Sequence, residues 1–541
     1  MNGRFADALQ SRYGMLLLAL LILALLTATA LVLRPLTPID ETRYVGVAWE
    51  MWLRGDFLLP IKNGAPYSHK PPLMIWLFQA GWAAFGVNEW WPRLVSPLVS
   101  AANLLLTMTL ARRLWPGRSD IAGPAVLVLC SCLLWTFFAT AAMFDIIVAF
   151  FTLLGMYGTL LAAEGKSLRG FACLGLAIGL GVLTKGPVIL LHVLPVALLA
   201  PWWTAQRRWR RWYGGVLLAV LLGTVIALAW AIPAGIEGGE EYRKAIFFGQ
   251  TANRMVESFA HKRPLWWYLP LLPVMLFPWL VWPGLWRALG SFVRHDLDRG
   301  GRFCVAWMVP VLVAFSLISG KQPHYLIPLF PAFALFAARA LADEQRVRGL
   351  WLPLLAALLM GMALLLMAAG WLGTPWEIAG PPEIWPGLLL MAATAGVYLL
   401  SRRVSKPLAA LALFGAMVSV LVQLALIAPL YPAYDVRIVA AAIQQAQAGG
   451  HPVAHLGDYN DQFHFAGRLQ APLALVDDDE ALKAWLRVHP DGDAVIYAKD
   501  MRRLADVKAI AAQPYLAGGV ALLDAPTALV WLSARQASDK Q

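Results

Sequence analysis

Charge and cysteine are scarce in this chain of 541 residues: 14% of its residues are Asp, Glu, Lys or Arg, and four are cysteine. Cys130, Cys132, Cys173 and Cys304 all lie inside apolar runs, and the more polar stretch after Tyr431 holds none. Neither a disulfide framework nor a thiolate-ligated zinc is therefore expected. That polar stretch also lacks a glycine-rich phosphate loop and a nucleophile elbow. No internal repeat is visible. This counts against a transporter or flippase, because such folds commonly carry repeats and place charge at the bilayer midplane.

What the chain has in abundance is apolar sequence, 60% of all residues. Runs of about 20 apolar residues are long enough to cross a bilayer. About thirteen are expected, near 14–33, 94–111, 121–140, 145–163, 170–184, 187–203, 213–232, 267–286, 303–319, 325–342, 349–371, 386–401 and 407–429. The chain thus reads as an α-helical polytopic membrane protein. The first run lacks an A-x-A-like cleavage site and reads as a retained span. The net charge of +12 would suggest nucleic acid in a soluble protein. Here the basic residues gather in alternate loops, as Arg112-Arg113, Arg207 to Arg211, Arg294 to Arg302 and Arg402-Arg403 do. Cytoplasmic loops collect Lys and Arg, so the charge is topological and no nucleic-acid partner is expected.

An odd span count with the N-terminus inside puts the C-terminus outside. Residues 1–429 form the membrane domain, with external loops 34–93 and 233–266. Residues 430–541 change texture. Short β-like runs at 452–456, 472–476, 494–497, 520–523 and 528–532 alternate with helix-like stretches at 436–448, 478–488 and 501–512, a soluble α/β pattern. The Asp477 to Glu480 run reads either as a metal cluster or as an acidic helix start favoured by the dipole.

The external face carries the unusual charges. Asp40-Glu41 follows the first span directly, and Asp40 shares a helix face with Tyr44 four residues on. Helix capping is the bland reading of such an acid pair. Asp145, in ATAAMFDIIVAFF, is a lone carboxylate in a long apolar run and needs a partner or an ion. Lys70, in NGAPYSHKPPL, is held off helix by the prolines behind it. Lys185 sits in LTKGP, and Arg254, His261, Lys262 and Arg263 precede a Trp-Trp-Tyr belt. Topology does not explain cations on this face. Phosphate does, since it draws Lys and Arg donors; anchoring to lipid headgroups is the alternative. Ionisable groups where a lipid headgroup meets water fit an enzyme acting on lipid-linked substrates.

Along residues 38–340 the segments DETRY, GDFLLPIKNGAPYSHKPPL, FGVNEWWPRL, MFD, LTKGP, HKRPLWWYLP and SGKQPHYLIPLFPA resemble the GT-C glycosyltransferases of the protein O-mannosyltransferase clan. Within that clan they resemble the bacterial lipid A aminoarabinose transferases. The resemblance implies a GT-C fold in a bacterial inner membrane, with the active site and the C-terminal domain periplasmic. It implies an inverting transfer of 4-amino-4-deoxy-L-arabinose from an undecaprenyl-phosphate donor to a lipid A phosphate. Asp40, Glu41 and Asp145 are then the catalytic candidates. Lys70, Lys185, Arg254 and Arg263 would hold the donor phosphate, and Tyr44, Tyr67, Lys321, His324 and Tyr325 the substrates. His69 stands where Glu is expected before KPP, so His69 and His261 are candidate ligands of a divalent metal, although no cofactor is required. Transfer of another sugar to protein or glycan is the alternative within the class.

The orientation has a direct test. A periplasm-specific reporter fused after Gln541 should be active, and a cytoplasm-specific one silent. The reverse result would invert the assigned face.

Overall fold

In the computed structural model, residues 11–205, 208–249, 262–295, 297–344, 349–373, 383–401, 408–505 and 507–539 are described. Ten of their helices are long and apolar enough to cross a membrane, from Arg12–Leu33 to the segment beginning at Leu408. They account for ten of the thirteen expected spans. The other three are interrupted. Ser119–Ser131 and Leu133–Phe138 break at extended Cys132. Val188–Leu198 is followed by the short Ala200–Trp203 helix. Tyr268–Met275 ends before Pro278, and a separate helix runs Pro283–His295. Proline supplies no N–H to the helical ladder, so an apolar run containing it can break where neighbouring helices satisfy the freed groups.

The bundle closes through small residues. Phe144–Ala163 and Ser167–Lys185 approach so tightly that a Cβ on Gly158 would lie 2.7 Å from the Gly170 carbonyl oxygen and 2.8 Å from the Leu174 nitrogen. Water does not drive helices together in a bilayer, so close van der Waals packing between backbones does that work.

Between the Asp40–Arg54 helix and the Leu73–Phe85 helix lies a two-stranded hairpin, β1 (Ile61–Lys62) and β2 (Ala65–Pro66). Its turn residues Asn63 and Gly64 have φ of 49° and 78°, values that favour Asn and Gly.

The C-terminal domain is a five-stranded sheet in the order β4-β3-β5-β7-β6, built from β3 (Val453–Leu456), β4 (Ala474–Val476), β5 (Asp493–Ala498), β6 (Ala511–Tyr515) and β7 (Gly518–Asp524). The first three are parallel, and β7 and β6 join antiparallel. Separate apolar clusters cover the two faces, Val439 and Ile443 on one and Leu482, Leu486 and Leu532 on the other. Two expectations are corrected. The 528–532 run belongs to the helix Ala525–Asp539, and the described residues of 501–512 hold the short helix Arg502–Ala505 and the start of β6 in place of one long helix. The Asp477 to Glu480 run is a helix start, with the Asp478 side chain accepting from the Ala481 N–H at 2.8 Å.

The sheet domain is seated on the Asp40–Arg54 helix and the hairpin. Trp49 donates its indole N–H to the Leu469 carbonyl (2.9 Å). Asn63 and Leu473 exchange two hydrogen bonds (3.0 and 2.8 Å). Trp82 stacks on Phe465 at 5.3 Å.

Overpacking the helix pair should be costly. Gly158→Leu drives a side chain into the facing backbone, and a loss of about 3 kcal/mol or more is expected, read as a lower Tm in detergent and loss of monodisperse protein. Gly214→Leu, where nothing lies within 4 Å of the added Cβ, should leave both unchanged.

Candidate active site

Two helices each begin with a carboxylate at the same end of the bundle. Asp40 opens Asp40–Arg54, and Asp145 lies in the first turn of Phe144–Ala163. Glu41 brings the two starts together. It is 3% exposed and accepts from the backbone N–H of Thr37 (2.9 Å) and of Ala142 (2.6 Å). It also pairs with Arg34 (3.3 Å), which donates to the Thr140 carbonyl (2.8 Å). Consecutive helix residues point in different directions, so only one acid of the pair can face the cavity. Asp40 does, and Glu41 is a clamp behind it.

The cavity encloses about 830 Å³. Asp40, Arg43, Tyr44, Tyr67, His69, Lys70, Asp145, Lys185, His324 and Tyr325 line its polar side, and Val182, Leu190, Leu191, Leu228 and Phe315 contribute to its apolar side. Asp40 Oδ1 accepts from Tyr44 Oη at 3.0 Å and from Arg43. Burial, with the Asp40 charge second, pushes the Tyr44 phenol well above its ordinary pKa, so it stays a donor. Asp145 is not a carboxylate without a partner: its Oδ1 accepts from Lys185 Nζ at 2.6 Å, with the two side chains 3% and 14% exposed. Lys185 ends its helix, where Gly186 (φ 80°) and Pro187 turn the chain. Its ammonium lies 4.8 Å from the centre of the Tyr325 ring. Lys70, on the loop before Pro71-Pro72, lies 5.6 Å from the Phe144 ring, which Tyr44 meets edge-on at 4.7 Å.

Among the described residues, three cations thus share the cavity with two carboxylates, beside apolar side chains. Such a site can hold an anionic headgroup at its polar end and a hydrocarbon chain along its side.

Three expected site residues lie off the cavity: Glu41, Lys321 and Arg263. Lys321 is 1% exposed and donates to the carbonyls of Arg263 (3.0 Å) and Ile318 (2.6 Å), so its charge closes a turn. Arg263 pairs its backbone with Ser319, and its guanidinium lies 5.7 Å from the Trp267 ring. Arg254 and His261 fall outside the described residues. His69 is on the wall with its ring 5.3 Å from Tyr67, and among the described residues it belongs to no cluster of three metal-ligating side chains. Sequence reading passed over Arg43 as a site residue and missed His192. His192 lines the cavity, is 1% exposed and packs 5.2 Å from Phe315. It is a lone ionisable residue in an apolar run, the signal that singled out Asp145.

Residues 69–236 match the dolichyl-phosphate-mannose-protein mannosyltransferase family. An undecaprenyl phosphate-alpha-4-amino-4-deoxy-L-arabinose arabinosyl transferase of Edwardsiella ictaluri is 34% identical over 357 residues, 63% of this chain and 62% of that one. The second transferase so named in Pseudomonas fluorescens is also 34% identical, over 346 residues, 60% of each chain. This chain is a homologue of those transferases. The match spans less than two thirds of their own length. The crystal structure of ArnT from Cupriavidus metallidurans bound to undecaprenyl phosphate superimposes with a TM-score of 0.74 at 21% identity, over 94% of this chain and 97% of that one. The chain has the ArnT-like GT-C fold and is an integral membrane protein.

The Asp145–Lys185 pair sets a stability test. Removing one partner of a buried ion pair leaves the other charge uncompensated, at about 3–5 kcal/mol. Lys185→Ala should therefore lower thermal stability in detergent clearly. Adding Asp145→Asn should restore most of the loss, and equal losses in the single and double variants would show that the pair is not coupled.

Proposed function

We propose that the protein transfers a sugar, 4-amino-4-deoxy-L-arabinose, from an undecaprenyl-phosphate donor to a lipid A phosphate, with inversion, on the periplasmic face of the bacterial inner membrane. The observation that carries this reading is that Lys70, Lys185, Arg43, Asp40 and Asp145 line one cavity together with apolar side chains. The relatives' names supply the donor and sugar. The acceptor and the side of the membrane rest on the sequence resemblance and on the distribution of basic loops.

In this reading the isoprenoid chain lies along Leu190, Leu191, Leu228 and Phe315, and the donor phosphate meets Lys70 and Lys185. The acceptor oxygen attacks the anomeric carbon while the bond from that carbon to the phosphate oxygen breaks. The electron pair stays on the polyprenyl phosphate, whose gain in charge the two ammonium groups stabilise. A lipid A phosphate oxygen is already ionised and gives up no proton, so Asp40 needs only to orient: it holds the sugar amine or the acceptor, and Tyr44 and Arg43 fix its position. The route uses only the chain's own residues. If the acceptor were a Ser or Thr hydroxyl, Asp40 would have to take its proton. His69 before KPP and the protein-mannosyltransferase match favour keeping that second reading, transfer of another sugar to protein or glycan.

Mass spectrometry of lipid A and of membrane glycoproteins from cells with and without the gene separates the two. An aminoarabinose adduct on lipid A is expected, and an adduct confined to protein would replace the first reading with the second. Asp40→Asn and Lys70→Ala should reduce transfer by about 10²–10³-fold with Tm near wild type. Lys70→Ala should also weaken undecaprenyl-phosphate binding by about ten- to a hundredfold, as loss of a charge-assisted contact of about 1.5–3 kcal/mol implies.

A further inference from the structure

A second cluster of ionisable side chains lies away from the cavity, where the sheet domain meets the Asp40–Arg54 helix. Glu50, Asp461 and His464 are 6%, 0% and 1% exposed, and one ligand atom from each lies within 4.8 Å of the others. Glu50 belongs to the helix, and the other two to the sheet domain.

Each residue is prepared in its own way. Glu50 accepts from the Asn63 N–H on one oxygen and from the Gly64 N–H (2.8 Å) on the other. A carboxylate oxygen has about two acceptor sites, so each keeps one for a further partner. Tyr459 Oη lies 2.6 Å from His464 Nδ1. With the phenol oxygen accepting from Nδ1–H, Nε2 keeps its lone pair, and it lies 3.9 Å from Glu50 Oε1. Asp461 has neither oxygen within hydrogen-bonding range of any donor among the described residues, although it is fully buried. Its neighbours are His464 Nδ1 at 3.7 Å and the Glu50 carboxylate. Gly46 makes the approach possible, since a Cβ there would lie 2.8 Å from Asp461 Cβ.

Two buried carboxylates that face each other cannot both stay charged without a cation between them; they either hold one or share a proton. Lys62 and Arg43 reach Asp461 only through their field: the Lys62 ammonium donates to the Tyr459 carbonyl (2.8 Å), and Arg43 to Asp40 and Asn460. We propose that Glu50, Asp461 and His464 bind one divalent transition-metal ion that fastens the sheet domain to the helix carrying Asp40. One imidazole and two carboxylates suit zinc or manganese; calcium takes six to eight oxygens. The site is structural. It is separate from the His69 wall of the cavity and does not depend on the transfer reaction.

The test uses purified full-length protein, stripped with chelator, dialysed against zinc chloride and measured by native mass spectrometry. Wild type should hold about one zinc per chain, and Asp461→Asn and His464→Gln should each fall to background. His69→Ala should keep the metal. Chelation should lower the wild-type Tm by roughly 5 °C and leave the Tm of Asp461→Asn unchanged. Should either variant fold poorly, X-ray absorption at the zinc edge of the wild-type protein reads the ligand set directly, with one imidazole and carboxylate oxygens expected. Wild type without bound zinc or manganese overturns the proposal and leaves the two carboxylates sharing a proton. Metal retained by both variants, or lost in His69→Ala, overturns it as well.

Discussion

A carboxylate inside an apolar bundle has to be answered by a positive charge, and Asp145 is answered by Lys185 at 2.6 Å. Much of the site's geometry follows from that requirement. Lys185 must end its helix at this depth, which places Gly186 and Pro187 immediately behind it. Asp145 must begin its own helix there, and the turn before it is pinned through Glu41 and Arg34 to the start of the helix bearing Asp40. The tight packing of Phe144–Ala163 on Ser167–Lys185 through Gly158 and Gly170 holds the two charge-bearing helices in register. The two carboxylates of the cavity are therefore positioned through side-chain contacts made outside it, at Glu41 and Arg34.

A second set of contacts works from the other side. The sheet domain does not sit apart from the membrane helices. It is held through Trp49, Lys62, Asn63 and Trp82, and its loop near Asn460 reaches Arg43. The Asp40–Arg54 helix is the common floor of both regions. One end of it faces the cavity, and Glu50, near the other, faces the sheet domain.

The membrane architecture was legible in the sequence because long apolar runs have few alternatives in a bilayer. Where the runs were broken, at Cys132, after Leu198 and before Pro278, hydropathy could not show it, since it averages over the break. Isolated charge was the most informative local signal. Asp145 and Lys185 both reach the cavity on that ground, and His192 shows that the rule applied to more residues than were picked. The failures have physical causes. Glu41 neighbours Asp40 in sequence but points elsewhere on the helix. Lys321 spends its ammonium on carbonyls made available by a turn that no spacing rule reveals. The run at 528–532 is apolar enough for a strand, but it forms a helix against the sheet. Glu50 lies some 410 residues before Asp461 and His464 and no motif joins it to them; it meets them only when the two domains dock.

Arg43 has one guanidinium and two obligations. It holds Asp40 at the cavity and Asn460 in the sheet domain. Residues within one hydrogen-bond network do not contribute independent free energies, so changes at its two ends combine non-additively. For a lineage carrying this fold, divergence in the loop around Asn460 is therefore constrained by the geometry at Asp40, although Asn460 is not among the residues that line the cavity. A graft of the sheet domain from a relative would carry that dependence with it, and its success would turn on what residue meets Arg43.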